Sequence, residues 1–137
     1  MSERLLLDTC AMIWISQAET IDTAAAELIA IAETDGTLSI SAMSAWELGM
    51  LVAKGRLPSR KPPLRWFAEF VEASGVKVED ATPDILIASS YLPSPIHNDP
   101  VDRILIATAR ESDFTILTRD RAILKYGELG HVRAIHC

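Results

Sequence analysis

The stretch Leu-Leu-Leu-Asp-Thr, residues 5–9, places three consecutive large apolar side chains directly before an acid and a hydroxyl. A strand with one wet face alternates apolar with polar residues, so three leucines in a row predict a strand buried on both faces. The pattern returns near the other end of the chain, where Thr115-Ile116-Leu117 leads to Asp120. Between the two, short β-rich runs alternate with longer helical patterns. Helices are predicted at Ala11 to Gln17 and at Thr23 to Glu33, the latter with apolar Ala25, Leu28, Ile29 and Ala32 at helical spacing and Gly36 as its stop. Leu38-Ser39-Ile40 predicts a second strand and leads into a helix from about Ala42 to Lys54, with Gly55 as C-cap. Arg56 to Pro63, with three prolines, is a loop. A helix follows over Leu64 to Ala73, closed by Gly75, and then a strand-like Val76-Lys77-Val78. Thr82-Pro83 opens another helix in the order N-cap then proline. Leu92 to Pro100 is a loop, Val101 to Glu111 a helix, Asp120 to Tyr126 a short helix ended by Gly127, and Arg133 to Ile135 a last edge strand. About five strands separated by helices predict an α/β fold: a mainly parallel sheet covered on both faces, with its site outside the strands' carboxyl ends.

The 137 residues are the size of one domain, and at 49% hydrophobic they can fill a core without disulfides. A single domain over 1–137 is therefore expected. Glu3 and Asp8 interrupt the start too early for a secretory signal, and no apolar run reaches the roughly 20 residues of a membrane span. The expectation is a soluble, cytoplasmic protein in which Cys10 and Cys137, lacking metal-type spacing, stay reduced. A net charge of −6 argues against non-specific nucleic-acid binding. The distribution softens this, because Lys54, Arg56, Arg60, Lys61 and Arg65 fall in one stretch with no acid between Glu47 and Glu69. Arg56, Arg60, Lys61 and Arg65 are the candidate RNA contacts, and Trp66 beside them is the candidate stacking residue, although an aromatic in an apolar helical pattern is more often core.

Four acids carry the functional reading, and each has a structural alternative. Asp8 follows the first strand, where a doubly wound sheet opens its crevice, but Asp also caps helices. Ser44-x-x-Glu47 reads as a capping box. With Ser41 as cap instead, Glu47 lies mid-helix and is free to face a site; taken alone, the pattern favours the capping box. In Asn98-Asp99-Pro100-Val101-Asp102, Asp99 reads as the cap, and Asp102 sits in the first turn, where the helix dipole alone would account for it. Asp120 repeats the Asp8 situation after a second strand. Together, Asp8, Glu47, Asp102 and Asp120 all stand at or near helix starts. Carboxylates gathered in a crevice resist desolvation and repel, which implies a bound cation; all-oxygen ligands select hard ions such as Mg2+ or Mn2+, which serve phosphoryl chemistry. No nucleophile elbow and no Gly-rich phosphate or dinucleotide loop is present, so no organic cofactor is expected. His97, His131 and His136 form no triad pattern.

With these acids placed, the chain resembles the PIN-domain proteins, and in particular the VapC-type toxins of bacterial toxin–antitoxin pairs. The stretches that carry the resemblance are Leu-Leu-Leu-Asp-Thr (5–9), Ile-Ser-Ala-Met-Ser-Ala-Trp-Glu-Leu (40–48), Asp-Pro-Val-Asp-Arg-Ile-Leu-Ile-Ala-Thr-Ala (99–109) and Ile-Leu-Thr-Arg-Asp (116–120). The resemblance implies a PIN-like three-layer α/β/α sandwich and hydrolysis of RNA phosphodiesters at a Mg2+ or Mn2+ site. It implies Asp8, Glu47 and Asp102 as the main carboxylates and Asp120 as a fourth. Thr9 and Thr118 become supporting hydrogen-bonding neighbours, and Asp99 a helix-start acid rather than a ligand. It also implies a homodimer and a VapB-type antitoxin; Met50, Leu51 and Leu57 beside Trp46 offer an apolar surface for the latter, with ordinary core as the safer assignment.

Two other classes compete. A receiver-like or other Mg2+-dependent phosphoryl domain needs a lysine near the last strand, and Lys125 is the only lysine after Lys77, placed in a helix instead. A non-catalytic module binding RNA or protein through the basic loop has no use for clustered acids; substituting Lys61 or Arg65 separates it, since a binder loses its partner while metal binding persists.

Overall fold

The computed structural model describes residues 3–96 and 98–137. Its elements run β1 (Leu5–Leu7), α1 (Thr9–Ser16), α2 (Thr23–Asp35), β2 (Leu38–Ser41), α3 (Ala42–Ala53), α4 (Pro63–Ser74), β3 (Lys77–Glu79), α5 (Pro83–Ala88), α6 (Pro100–Ser112), β4 (Thr115–Thr118), α7 (Arg121–Glu128) and β5 (Arg133–His136). The strands form one sheet in the order β3-β2-β1-β4-β5, and every neighbouring pair is parallel. β1 therefore lies at the centre, which is why it reads as an unbroken leucine run. Successive side chains of a strand point to opposite faces, and Leu5 and Leu7 join one hydrophobic cluster while Leu6 joins the other. All three are 1% exposed or less, a burial that contributes about 1.5–3 kcal/mol per side chain.

The first cluster packs α1, α2, α3 and α4 on the Leu5/Leu7 face through Met12, Ile29, Leu48, Trp66 and Phe70. The second packs α6 and α7 on the Leu6 face through Val101, Leu105, Ile123 and Tyr126. α5 rides on α6 through Ile85, Ile104 and Ala107. The result is the expected α/β/α sandwich. Among the described residues no helix is long and apolar enough to cross a membrane.

Three expectations change. α3 starts after Ser41, whose hydroxyl accepts from Met43 N–H at 3.0 Å; the capping box at Ser44-x-x-Glu47 is not formed, and Glu47 lies in the second turn. β2 continues to Ser41, so Ser41 is the last extended residue before the helix and stands in the cap position. α7 runs through Gly127 to Glu128. A Cβ on Gly127 would lie 3.3 Å from the Val132 carbonyl oxygen, so this glycine admits the incoming β5 segment rather than ending the helix. Trp66 is buried at 8% exposure, with Nε1 donating to Ser16 Oγ at 2.9 Å, so its face is unavailable to a nucleobase. Cys10 and Cys137 are both free thiols, as expected.

Candidate active site

The parallel order reverses direction between β1 and β4, which carry the chain to opposite sides of the sheet. A crevice opens there at the strands' carboxyl ends. In register with it, Leu7 pairs with Leu117, and the Asp8 amide donates to the Leu117 carbonyl at 3.2 Å. Asp8 follows β1 and caps α1, its Oδ1 accepting from Ala11 N–H at 2.7 Å. Its Oδ2 accepts from the Thr118 hydroxyl at 2.5 Å, and Thr118 Oγ1 in turn accepts from Asp120 N–H at 2.9 Å. Asp120 caps α7 through Ile123 N–H. One buried threonine thus ties the acid of β1 to the acid after β4. Asp99 caps α6, its Oδ1 accepting from the amide of Asp102 at 3.0 Å, and Asp102 lies in the first turn of that helix. The capping roles of Asp8 and Asp120 are real, and they coexist with placement at the crevice.

Electrostatics show which acids share one space. Burial pushes Asp102 up to about 8, reinforced by Asp99, Asp120, Glu47 and Asp8. Asp8 rises to about 6, chiefly from burial, with Glu47 and Asp120 adding to it and the hydrogen bonds from Thr118 and Ala11 opposing it. Glu47 is also raised by burial and by Asp99, against a hydrogen bond from Thr9. The Cys10 thiol is pushed up to about 12 by desolvation and then by all four acids, which marks it as their neighbour. The structure therefore brings Asp8, Glu47, Asp102 and Asp120 together, with Asp99 beside them and Thr9 and Thr118 as hydroxyl neighbours.

No three His, Cys, Asp or Glu side chains among the described residues form a ready-made metal-holding group. Carboxyl groups brought together without a cation keep protons or stand apart, and here Asp8 and Asp102 are both raised. The donor chemistry fits a cation: four carboxylates flanked by neutral hydroxyls make an all-oxygen set, and a dication would offset the burial and the repulsion that hold protons on Asp8 and Asp102.

The basic stretch sits elsewhere. Arg65 Nε pairs with Glu69 Oε1 at 2.8 Å, and Lys61 pairs with Glu69 Oε2, which holds Glu69 below the usual carboxylate range. Arg60 and Lys61 line a groove of about 610 Å³ with Ser16, Gln17 and Phe70, and none of the four acids lines it. Arg56 is exposed on the loop after α3. Leu51 and Leu57 pack against the first core cluster, in keeping with the core assignment, while Trp46 is 56% exposed. His97 lies outside the described residues; His131 contacts the Tyr126 ring, and His136 pairs with Asp22, so neither joins the acids. Sequence reading took Ser44 for a helix cap; it is instead fully buried, its Oγ accepting from the Thr9 hydroxyl at 2.9 Å.

Comparison with known proteins agrees with this geometry. The PIN domain family pattern matches residues 5–129, from β1 through α7. Ribonuclease VapC22 of Mycobacterium tuberculosis is 31% identical over 120 residues, covering 87% of this chain and 88% of that protein. In fold, the chain is similar to the crystal structure of VapBC2 from Rickettsia felis bound to a DNA fragment from their promoter (TM-score 0.71, 14% identity, 96% and 97% of the two chains covered). It is also similar to DNA-bound VapBC from Salmonella typhimurium (TM-score 0.68, 16% identity, 99% and 98% covered). A switch-point crevice of four acids, a family match across almost the whole sheet and a close VapC relative leave one assignment: the chain belongs to the PIN-domain family, among its VapC-type members.

Proposed function

We propose that this protein is an endoribonuclease that hydrolyses RNA phosphodiester bonds with Mg2+ or Mn2+, and that it is the toxin of a toxin–antitoxin pair. The observation that carries the reading is the placement of Asp8 after β1 and Asp120 after β4, joined through the Thr118 hydroxyl at the switch point, with Asp102 near enough to be raised by both and by Glu47. Clustered acids destabilise a fold unless they serve a cation. Asp8, Glu47 and Asp102, with Asp120 as a fourth, would hold it. A divalent cation there supplies positive charge against the phosphate and makes water more acidic at neutral pH. The chain's own part is positional. Thr118 fixes the Asp8 carboxyl and the Asp120 backbone together, Thr9 braces Glu47, and α6 presents Asp102 from the opposite layer. No side chain in the cluster is a nucleophile of the serine or cysteine type in its reactive state, which favours direct attack by water.

The name of the 31% identical relative supports ribonuclease activity, and the solved VapBC complexes support a VapB-type antitoxin as partner. Exposed apolar side chains, among them Trp46 on α3, Ile87 on α5 and Tyr91 after it, supply surface for a homodimer and an antitoxin contact.

The test is cleavage of total cellular RNA by purified, antitoxin-free protein with Mn2+ or Mg2+, with sequencing of new 5′ ends. Discrete ends that vanish with EDTA and with Asp8→Ala are the expected result and name the target. Ends that persist in Asp8→Ala, or no ends at all, overturn the catalytic assignment and leave a binding role through the basic stretch, which Lys61→Ala and Arg65→Ala would then abolish.

A further inference from the structure

Arg119 stands between Thr118 and Asp120 in the chain, yet its guanidinium is committed to three other segments. Nη2 donates one proton to the Thr20 carbonyl at 2.9 Å and the other to the Cys137 carbonyl at 3.2 Å. Cζ lies 4.0 Å from the centroid of the Trp14 ring, a cation over an aromatic face. Trp14 belongs to α1, Thr20 to the connection between α1 and α2, and Cys137 follows β5. Main-chain bonds close the same junction: Cys137 N–H donates to the Thr118 carbonyl at 3.2 Å, and Asp22 N–H to the Cys137 carbonyl at 2.9 Å.

These ties bear on the acids through what each segment carries. Asp8 caps α1, and Trp14 lies six residues beyond it, about 9 Å along the helix axis. Asp120 follows Arg119 directly and caps α7. The Thr118 hydroxyl joins Asp8 to the Asp120 turn at one point. One point leaves α1 free to tilt, and the Arg119 contacts supply a second. Covering the Trp14 ring would not require an arginine, since leucine or methionine could do it. Bridging two carbonyls from different segments while lying flat on the ring requires a planar group with several fixed donors.

We propose that Arg119 is a positioning residue of the carboxylate site, a clamp that sets the Asp8 end of α1 against the Asp120 turn so that both acids face one divalent cation. The inference rests on the reading of that centre as a metal site. Two rivals compete: Arg119 stabilises the fold as a whole, or it swings out to an RNA phosphate.

Arg119→Lys and Arg119→Leu separate the three. Lysine keeps the charge and loses the planar fork, while leucine keeps apolar cover on Trp14 and loses the charge. Mn2+ is titrated into metal-free protein, with free ion followed by its electron paramagnetic resonance signal. Amide exchange and filter binding of total cellular RNA are measured in EDTA, where thermal midpoints confirm that each variant is folded. Both variants are expected to weaken Mn2+ about 10-fold, the low end of what lost support behind a metal ligand costs. The amides of Ala11 and Asp120, which donate to Asp8 and Thr118, should exchange faster while core amides of β1 and β4 keep their rates. RNA retention should not change. Unchanged Mn2+ affinity in Arg119→Lys overturns the inference, and so does exchange that rises equally in the core, which would mark a general stabiliser. RNA retention lost in Arg119→Leu alone, with Mn2+ affinity intact, overturns it in favour of a phosphate contact. Arg119→Lys carries the decision if Arg119→Leu does not fold. Absence of saturable Mn2+ binding by wild type removes the metal reading itself and the inference with it.

Discussion

Thr118 is the residue on which two acids depend, since its hydroxyl donates to Asp8 and accepts from the Asp120 amide, and it is fully buried. Thr118→Val keeps the shape and removes both bonds, stranding a part-buried N–H and a buried carboxylate lone pair. The expected loss in urea unfolding is ~1–3 kcal/mol, with Thr118→Ser recovering most of it. The Thr118 bond is also the strongest influence holding Asp8 acidic, so the valine variant should need a higher pH to take up Mn2+. A valine variant as stable as wild type would show that the hydroxyl does not bridge the two acids. Asp102 invites the opposite experiment. It sits in the first turn of α6, where the dipole favours a negative charge by about 0.3–1 kcal/mol, yet burial and its acidic neighbours win and push it up to about 8. Asp102→Asn removes the repelled charge. In EDTA at pH 8 its thermal midpoint should rise by on the order of a few °C, while RNA cleavage and Mn2+ affinity fall. A lower midpoint would show that Asp102 is a structural acid.

At the scale of the element, the start of α3 decides whether Glu47 caps a helix or faces a site. Ser41→Ala should cost about 1 kcal/mol, as the loss of an N-cap does, and Ser44→Ala should not show a capping loss; equal losses in urea unfolding would return the start of the helix to Ser44. The sequence offered two serines three residues apart, each a competent cap, and local pattern alone could not rank them. The ranking came from β2 running on to Ser41, which is a matter of pairing with β3. The same limit applied at Gly127. A glycine near the end of a helical pattern reads as a stop, but its cause lies in Val132, five residues on and brought back by the turn. Gly127→Ala should gain about 1 kcal/mol of helix propensity and give most of it back against the Val132 carbonyl 3.3 Å away, for a small net change in the unfolding midpoint. Where a signal was local and strong, as in the Leu5–Leu7 run or the Asp99-Pro100 helix start, the element stood where it was read. Trp66 went the other way, because exposure is decided by what α4 packs against, here Ser16 of α1.

For the molecule as a whole, strand count and parallel class were legible, since an unbroken leucine strand has only one home. That β1 and β4 are neighbours was not, and it is this adjacency that turns four respectable helix-start acids into one cluster. The cluster has a consequence for the entire fold. Asp8 and Asp102 hold protons more tightly folded, at about 6 and about 8, than at their ordinary value of 3.8. Between those values the folded chain binds more protons than the unfolded one, so stability falls as pH rises. The stabilisation is complete at low pH and is lost as pH passes through the two folded values. Urea unfolding in EDTA should therefore give midpoints that decline from pH 5 to pH 8. A cation at the site competes with those protons and binds better as they leave, stabilising the folded state by linkage. With saturating Mg2+ the decline should flatten or reverse, most clearly near pH 8, and Asp102→Asn should abolish the difference between the two series. Parallel curves with and without Mg2+ across pH 5–8 would mean that the acids are coupled to each other but to no metal, and the cluster would then have to be explained as a strain the fold carries for some other partner.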